Sequence, residues 1–385
     1  MVIYPMIKFS HNLSVSDLRK LYGLVTVTAL NNRNVNLTRH IYKVWWLFRT
    51  LAYSYKLESN ELGEGRVALV TQKLQRSDLS EYFNVKKLTR SSITYKIRRK
   101  IFFSFYWMTW GLAFFFKYYR DTKKLLSAFA IIDLAKILES NKIENFPHQV
   151  FIFLNEKQYY EGLFAIAVQR CQLRALSVCH GFYRDTGKTI TLSNTNANNY
   201  LNIICPEQVT LGVIQSEIIS KNYHQNVRCY PLGKPISPIE KNIAPASSLE
   251  DKNCFIVLVL DTRELKDQNI EMIRSLQEEL IPFKIKKHPD DQFNYGCPAV
   301  KELKFDSLAN VKIFGANSTL ILQLGRLGAE IFLYNKSDFL NYIPKNYLKS
   351  DKSFIKVENY SWQDFIGYIG DDYYRELSAI LDLEC

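Results

Sequence analysis

Two series of short apolar, β-rich runs alternate with stretches of helical spacing, and a proline-rich segment stands between the series. In the first, residues 66–71, 149–154 and 175–178 read as buried strands and 200–204 as strand-like, with helical spacing over 160–172 and 209–221. The second opens with an apolar run at 254–260. It continues with strands at 283–287, 311–314 and 329–334, separated by helices at 269–280 and 318–327. Such alternation predicts parallel sheets covered by helices, because a parallel strand pair needs a crossover long enough to hold one. Pro231, Gly233, Pro235, Pro238 and Pro245, followed by Ala and Ser, mark the break between the series. At 385 residues the chain is too long for one ordinary core and comfortable for two. The expectation is an α/β chain with a first domain over 1–235, a linker over 236–252 and a second domain over 253–385. Ligands of such sheets bind at the carboxyl ends of the strands. A cleft between two facing Rossmann-like domains is therefore the expected site.

Ahead of and within the first series, residues 1–64 read as helical and basic, and 93–142 as a helical stretch after a polar turn. Residues 101–116 carry no charge and are dense in aromatics, flanked by Lys96, Arg98, Arg99 and Lys100 and by Lys117, Arg120, Lys123 and Lys124. As a helix this run reaches about 24 Å, short of a bilayer core of about 30 Å. Residues 41–52 likewise mix Trp45, Trp46, Leu47 and Phe48 with Lys43 and Arg49. Two readings stay open: a buried helical layer of the first domain, or peripheral contact with an anionic inner membrane through residues 96–124. The net charge of +12 calls for an anionic partner. Because it is spread and no recognition motif accompanies it, no nucleic acid is expected. The seven cysteines form no C-x-x-C pair, and residues 1–10 lack the pattern of a secretory signal. A reducing, cytoplasmic location is the expectation, at the inner face of the plasma membrane if the contact reading holds.

Several residues at predicted strand ends have the chemistry of a nucleotide site. Lys286-Lys287-His288-Pro289 closes a strand. Proline stops the strand, and the imidazole can then donate to a phosphate or protonate a leaving group. Further on, Gly315 permits a tight turn after a strand. Asn317, Ser318 and Thr319 then open a helix, whose N-terminus attracts phosphate through its N–H groups and dipole. In the first series Glu161 opens a helix after a strand, so that its carboxylate is expected to project into the cleft. His180-Gly181 ends another strand, and Arg184 and Lys188 follow as contacts for an anionic acceptor or a phosphate.

In this order, Tyr160-Glu161-Gly162, His288-Pro289 and Ser318-Thr319 resemble the motifs of bacterial sialyltransferases, polysialyltransferases and related capsule glycosyltransferases. Those families have an acidic-acidic-Gly motif, then His-Pro, then a Ser-Ser or Ser-Thr pair. Here Tyr160 stands where the first acid would be. The resemblance covers roughly residues 149–335 and implies a GT-B-like fold. It also implies a CMP-activated acidic sugar as donor and a glycan or glycolipid acceptor, with no metal required. By it, Glu161 is the base toward the acceptor hydroxyl, His288 binds or assists the departing phosphate, and Ser318 and Thr319 hold phosphate oxygens. Ser177-Val178-Cys179-His180-Gly181 is similar to the Gln-His-Gly motif of capsule and teichoic-acid-type transferases, with Cys179 in place of Gln. The base is thus either Glu161 or His180. A UDP-, GDP- or dTDP-sugar, or a CDP-alditol, is the alternative donor, and a non-catalytic subunit of a polysaccharide-assembly complex the alternative role.

Other chemistries lack their signatures. The sequence has no D-x-D triplet, no G-x-G-x-x-G, no G-x-x-x-x-G-K-[ST] and no G-x-S-x-G.

Overall fold

The computed structural model describes residues 13–14, 20–21, 24–25, 39–58, 66–71, 92–102, 104–153, 159–179, 203–222, 227–234, 255–261, 265–288, 291–300, 311–351 and 353–381. They form an α/β fold in two compact units. The first comprises Met1–Thr210, Ser216–Tyr230 and Tyr374–Cys385; the second comprises Leu211–Gln215 and Pro231–Tyr373. The C-terminal stretch, expected with the second domain, thus belongs with the first, where an Arg174 guanidinium N–H donates to the Ile380 carbonyl at 2.9 Å. The linker expected over 236–252 lies outside the described residues.

In chain order the first elements are α1 (Arg39–Ala52), β1 (Tyr53–Glu58), β2 (Val67–Thr71), β3 (Ser92–Ile101), α2 (Phe105–Tyr118) and α3 (Thr122–Asn141). Then come β4 (Val150–Phe153), α4 (Tyr159–Arg170), β5 (Arg174–Val178), β6 (Glu207–Val209), α5 (Val213–Asn222) and β7 (Arg228–Tyr230). The seven strands make one sheet in the order β1-β3-β2-β4-β5-β6-β7, parallel except for the β1–β3 pair. All four residues of β4 are buried. Helix α4 packs on β4, β5 and α3, which encloses its first ten residues on every side.

Two expectations for this region change. The stretch 93–142 is not one helical segment, because Ser92–Ile101 is the longest strand of the sheet. Buried Ile97 is followed by exposed Arg98, Arg99 and Lys100. Successive side chains point to opposite faces, so the end of β3 that pairs antiparallel with β1 is solvated on both faces. Residues 53–58, expected as helical, are β1. Near 200–204, the described Ile203 and Ile204 lie in the approach to β6, and the helix expected from 209 begins at Val213.

The second series yields β8 (Phe255–Val259), α6 (Lys266–Glu278), β9 (Lys284–Lys286), β10 (Val311–Gly315), α7 (Thr319–Arg326), β11 (Glu330–Tyr334), β12 (Leu348–Asp351), β13 (Phe354–Val357) and α8 (Gly370–Ile380). Their sheet runs β12-β13-β11-β10-β8-β9. Strands β9, β8, β10 and β11 are parallel, and the antiparallel β13 and β12 close one edge. Phe314 stacks on Phe332 with centroids 4.5 Å apart, while Phe354 meets Phe314 edge-on at 5.0 Å. Helix α7 docks through Gly325, where a Cβ would lie 2.7 Å from the Trp362 ring. Because β9, β8, β10 and β11 are parallel, their carboxyl ends open on one rim.

Where the chain leaves β7 it pairs with a returning loop: Tyr368 N–H donates to Leu232 O at 2.7 Å and Lys234 N–H to Tyr368 O at 3.2 Å. Gly233 has φ +117°, and a Cβ there would sit 2.2 Å from the Tyr368 carbonyl oxygen, so only glycine fits. This packing buries Lys234, and burial pulls its ammonium down from 10.5 to about 7. Between those values the unfolded chain holds a proton that the folded chain has lost. Stability therefore rises with pH across this window, and the penalty is complete below about 7. Each tenfold loss of proton affinity on folding corresponds to about 1.4 kcal/mol. Lys234→Met should therefore raise stability by up to a few kcal/mol at pH 6, and by much less at pH 10. Urea midpoints at the two pH values measure this; an equal gain at both would contradict it.

Candidate functional site

The rim of the second sheet gathers most of the sequence-predicted donor-site residues. Strand β8 leads through Leu260 to Asp261, which is 2% exposed. Its two carboxylate oxygens accept the backbone N–H of Asn317 at 3.3 and 3.2 Å. The backbone of Asp261 is in turn gripped by the Asn269 side chain of α6: its N–H donates to Asn269 Oδ1 at 3.0 Å, and its carbonyl accepts from Nδ2 at 3.1 Å. Asn269 Nδ2 also donates to the Tyr295 hydroxyl at 3.1 Å, and that hydroxyl donates to Asp291 Oδ2 at 2.7 Å. Asp291 folds the loop after β9 by accepting the Phe293 N–H at 2.9 Å and by donating its own N–H to the His288 carbonyl at 2.9 Å.

The network continues across the rim. Asn317 Oδ1 accepts the N–H of Asp338 at 2.8 Å. Ser337 donates its hydroxyl to Ala316 O at 2.5 Å and accepts the Phe339 N–H at 3.2 Å. Loops after β9, β8, β10 and β11 are thus tied into one connected, largely buried array. Satisfied networks of this kind fix a single geometry, because each member would be costly if left unpaired. Gly315 ends β10 under close contact, where a Cβ would lie 2.6 Å from Ile321 Cδ1 and 2.7 Å from the Val259 carbonyl oxygen. Its role in the structure is this close approach of strand and helix, rather than a turn with positive φ.

What the array positions is the start of α7. Ser318 is its N-cap residue, with φ −71° and ψ 130°, and its hydroxyl makes no capping hydrogen bond. Ser318 and Thr319 are partly exposed, as is His288 at the end of β9. Strand β8 lies between β9 and β10, and Lys286 and Gly315, the last residues of those strands, both pair with Val259, so two strand spacings, about 10 Å, separate them. Asn317, by contrast, is buried with its side-chain oxygen engaged, which makes it a brace for the rim. Pro289 lies outside the described residues. Sequence reasoning missed Asp261, Asn269, Tyr295 and Ser337. The legible signal for Asp261 was an acid directly after an apolar strand run, level with the other strand ends.

In the first unit Glu161 occupies the first turn of α4, but it is 2% exposed and enclosed by the layer around that helix. Its neighbour Tyr160 stacks on Tyr55 with centroids 3.5 Å apart at 27°. The Arg49 guanidinium covers both Tyr160, at 4.3 Å, and Trp46, at 4.2 Å. Arg49 Nε also donates to the Tyr55 hydroxyl at 3.2 Å. The position where the resembled motif has its first acid is therefore an aromatic packing position here. Beside it, Tyr159 donates to Asp133 Oδ2 at 3.1 Å. Burial pushes the Asp133 carboxyl up to about 6 against the opposing pull of Arg49 and Lys136. Cys179, after β5, is buried and donates its N–H to Val209 O at 2.9 Å. His180, Gly181, Arg184 and Lys188 lie outside the described residues. Among the described residues no three His, Cys, Asp or Glu side chains converge as a metal-ligand set.

No protein-family model and no curated protein matches the sequence. Among solved structures the chain is similar to a UDP-N-acetylglucosamine 2-epimerase from Rickettsia bellii, at 12% identity and TM-score 0.36, over 68% of this chain and 76% of that one. It is similar to CalG4, the calicheamicin glycosyltransferase, at 10% identity and TM-score 0.36, over 70% and 80%. It is also similar to the wall teichoic acid polymerase TagF, at 9% identity and TM-score 0.37, over 82% and 78%. Likeness at this level does not bear on what the chain does.

The rim array is testable by itself. Asn269→Leu strips partners from the Asp261 backbone and the Tyr295 hydroxyl and should cost about 2–4 kcal/mol in urea unfolding. A loss below about 0.5 kcal/mol would mean that the array does not hold the rim together.

Proposed function

We propose that the chain is a glycosyltransferase of GT-B-like type that moves a sugar from a nucleotide donor to the hydroxyl of a glycan or glycolipid. The observation that carries this reading is the rim of the second sheet. There a strand-end imidazole, His288, and the hydroxyl-bearing start of α7, Ser318 and Thr319, flank a braced floor at the carboxyl ends of parallel strands. Helix N-termini at such rims suit phosphate, and an imidazole donor suits the oxygen of a leaving phosphate.

In the proposed reaction the acceptor oxygen bonds to the anomeric carbon as the bond from that carbon to the phosphate oxygen breaks. The electron pair departs with the nucleoside phosphate, and the acceptor proton passes to a base, Glu161 or His180. A single displacement inverts the carbon and needs no metal in this scheme. The proposed donor is CMP-sialic acid or a related CMP-keto-acid sugar, by the order of His288-Pro289 and Ser318-Thr319. The proposed setting is bacterial capsule, lipooligosaccharide or O-antigen synthesis. A UDP-, GDP- or dTDP-sugar or a CDP-alditol is the alternative donor. Arg184 and Lys188 are the proposed contacts for an anionic acceptor or phosphate.

Release of nucleotide from a panel of donors by the purified chain tests the proposal. His288→Ala should lower turnover roughly a hundredfold or more with an unchanged unfolding midpoint, as expected for loss of an acid or phosphate donor. Glu161→Gln and His180→Ala separate the two bases: one should abolish turnover with every nucleotide still bound, the other should not. Absence of affinity for CMP, CDP and UDP in calorimetry would replace the enzyme reading with that of a non-catalytic subunit.

A further inference from the structure

Helix α1 is amphipathic in the wrong sense for a globular core. Its outward stripe, Ile41, Val44, Trp45 and Phe48, is apolar and 50–63% exposed, while Lys43 and Thr50 face inward with Trp46. The helix cannot roll to hide that stripe, because its inner face is pinned at several points. Trp46 packs edge-on against Tyr159 at 4.9 Å. The Lys43 ammonium donates to the Tyr119 carbonyl, and the Lys136 ammonium donates to the Thr50 carbonyl near the C-terminal end of α1.

Helix α2 crosses α1 at Gly111, whose missing Cβ admits Leu51 Cδ2 to 2.3 Å of the position it would take. On its inner side Trp107 is buried and donates to Glu139 Oε2 at 3.1 Å. On its outer side Phe105, Leu112 and Phe116 are exposed, at 79%, 37% and 76%. Ile101, at the end of β3, adds another exposed apolar side chain. Two crossed helices thus carry apolar stripes on their outer faces.

Cations flank the α2 stripe along the chain. Residues 92–124 contain eight Lys and Arg and a single acid, Asp121. Arg98, Arg99, Lys100, Lys117, Arg120 and Lys124 are exposed. An apolar face with aromatics, rimmed by long cationic side chains, matches the boundary between acyl chains and anionic headgroups. Among the described residues no helix is long and apolar enough to cross a membrane, and the 14 residues of α2 reach about 21 Å. We infer that the outer faces of α1 and α2 form a docking surface for an anionic lipid bilayer, with Trp45, Phe48, Phe105 and Phe116 entering the interface and the β3 and α2 cations meeting headgroups. This inference is independent of the glycosyltransferase reading, since binding to lipid requires no donor and no turnover.

The test is co-sedimentation of the full chain with vesicles of phosphatidylglycerol and phosphatidylcholine, against vesicles of phosphatidylcholine alone. Binding at least about tenfold stronger to the anionic vesicles is expected, weakening with added salt. Trp45→Ser with Phe116→Ser, and separately Arg98→Glu with Lys117→Glu, should each lower it at least about fivefold without moving the unfolding midpoint. Trp45 is half-exposed and Trp110 of α2 is partly exposed, whereas Trp46, Trp107 and Trp362 are buried. Brominated phosphatidylglycerol should therefore quench emission that Trp45→Phe combined with Trp110→Phe largely removes. Equal binding to both vesicle types, or none to either, would overturn the inference. So would a dimer in sedimentation equilibrium that Trp45→Ser dissociates, which would assign the face to a second copy of the chain.

Discussion

The hydrogen bonds from the Asn317 N–H to the buried Asp261 carboxylate join the ends of two neighbouring parallel strands. The rest of the second unit's rim is built out from them. On one side Asn269, Tyr295 and Asp291 carry the link to the loop after β9; on the other Asn317, Ser337 and Asp338 carry it to the loop after β11. A carboxylate with so little exposure is tolerable only when its oxygens are engaged, and its engagement in turn fixes where α7 begins. The partly exposed hydroxyl of Ser318 and imidazole of His288 therefore sit on a floor that has little freedom to move.

The first unit uses a different means to a similar end. Around α4 the fixed geometry comes from ring contacts and one guanidinium, Arg49, sandwiched among Trp46, Tyr55 and Tyr160. Burial there pushes the Tyr55 hydroxyl up to about 12 and the Asp133 carboxyl up to about 6. Glu161 lies one residue from this cluster and is itself enclosed. A base at that place acts only where substrate reaches into the enclosure, whereas the start of α7 is already open to solvent at Ser318.

Much of the fold was legible because parallel, buried strands write themselves as continuous apolar runs: β4, β5, β8, β10 and β11 fall within two residues of their expected places. Strands β1 and β3 were not legible as strands. Tyr53, Tyr55 and Leu57 alternate with polar residues over only six positions, and the basic half of β3 merges into the aromatic run that follows. Of the rim residues, those with a recognisable order, His288 and Ser318-Thr319, could be picked from the sequence, whereas Asn269 and Tyr295 could not. The last two act through contacts between elements distant along the chain, and no local spacing encodes such contacts. Tyr160 shows the converse: the departure from the resembled motif was visible, but its physical reason, the stack on Tyr55 beneath Arg49, needed the fold.

The most direct measurement is backbone hydrogen exchange of the full chain with and without saturating nucleotide, taking CMP, CDP and UDP in turn. With the nucleotide that binds, amides at the start of α7, from Ser318 to Ile321, and around His288 should become at least tenfold more protected, with the braced segment at Asp261 little changed. Saturation by a nucleotide that leaves these amides unchanged, with protection confined to other parts of the chain, would contradict the assignment of the donor site to this rim.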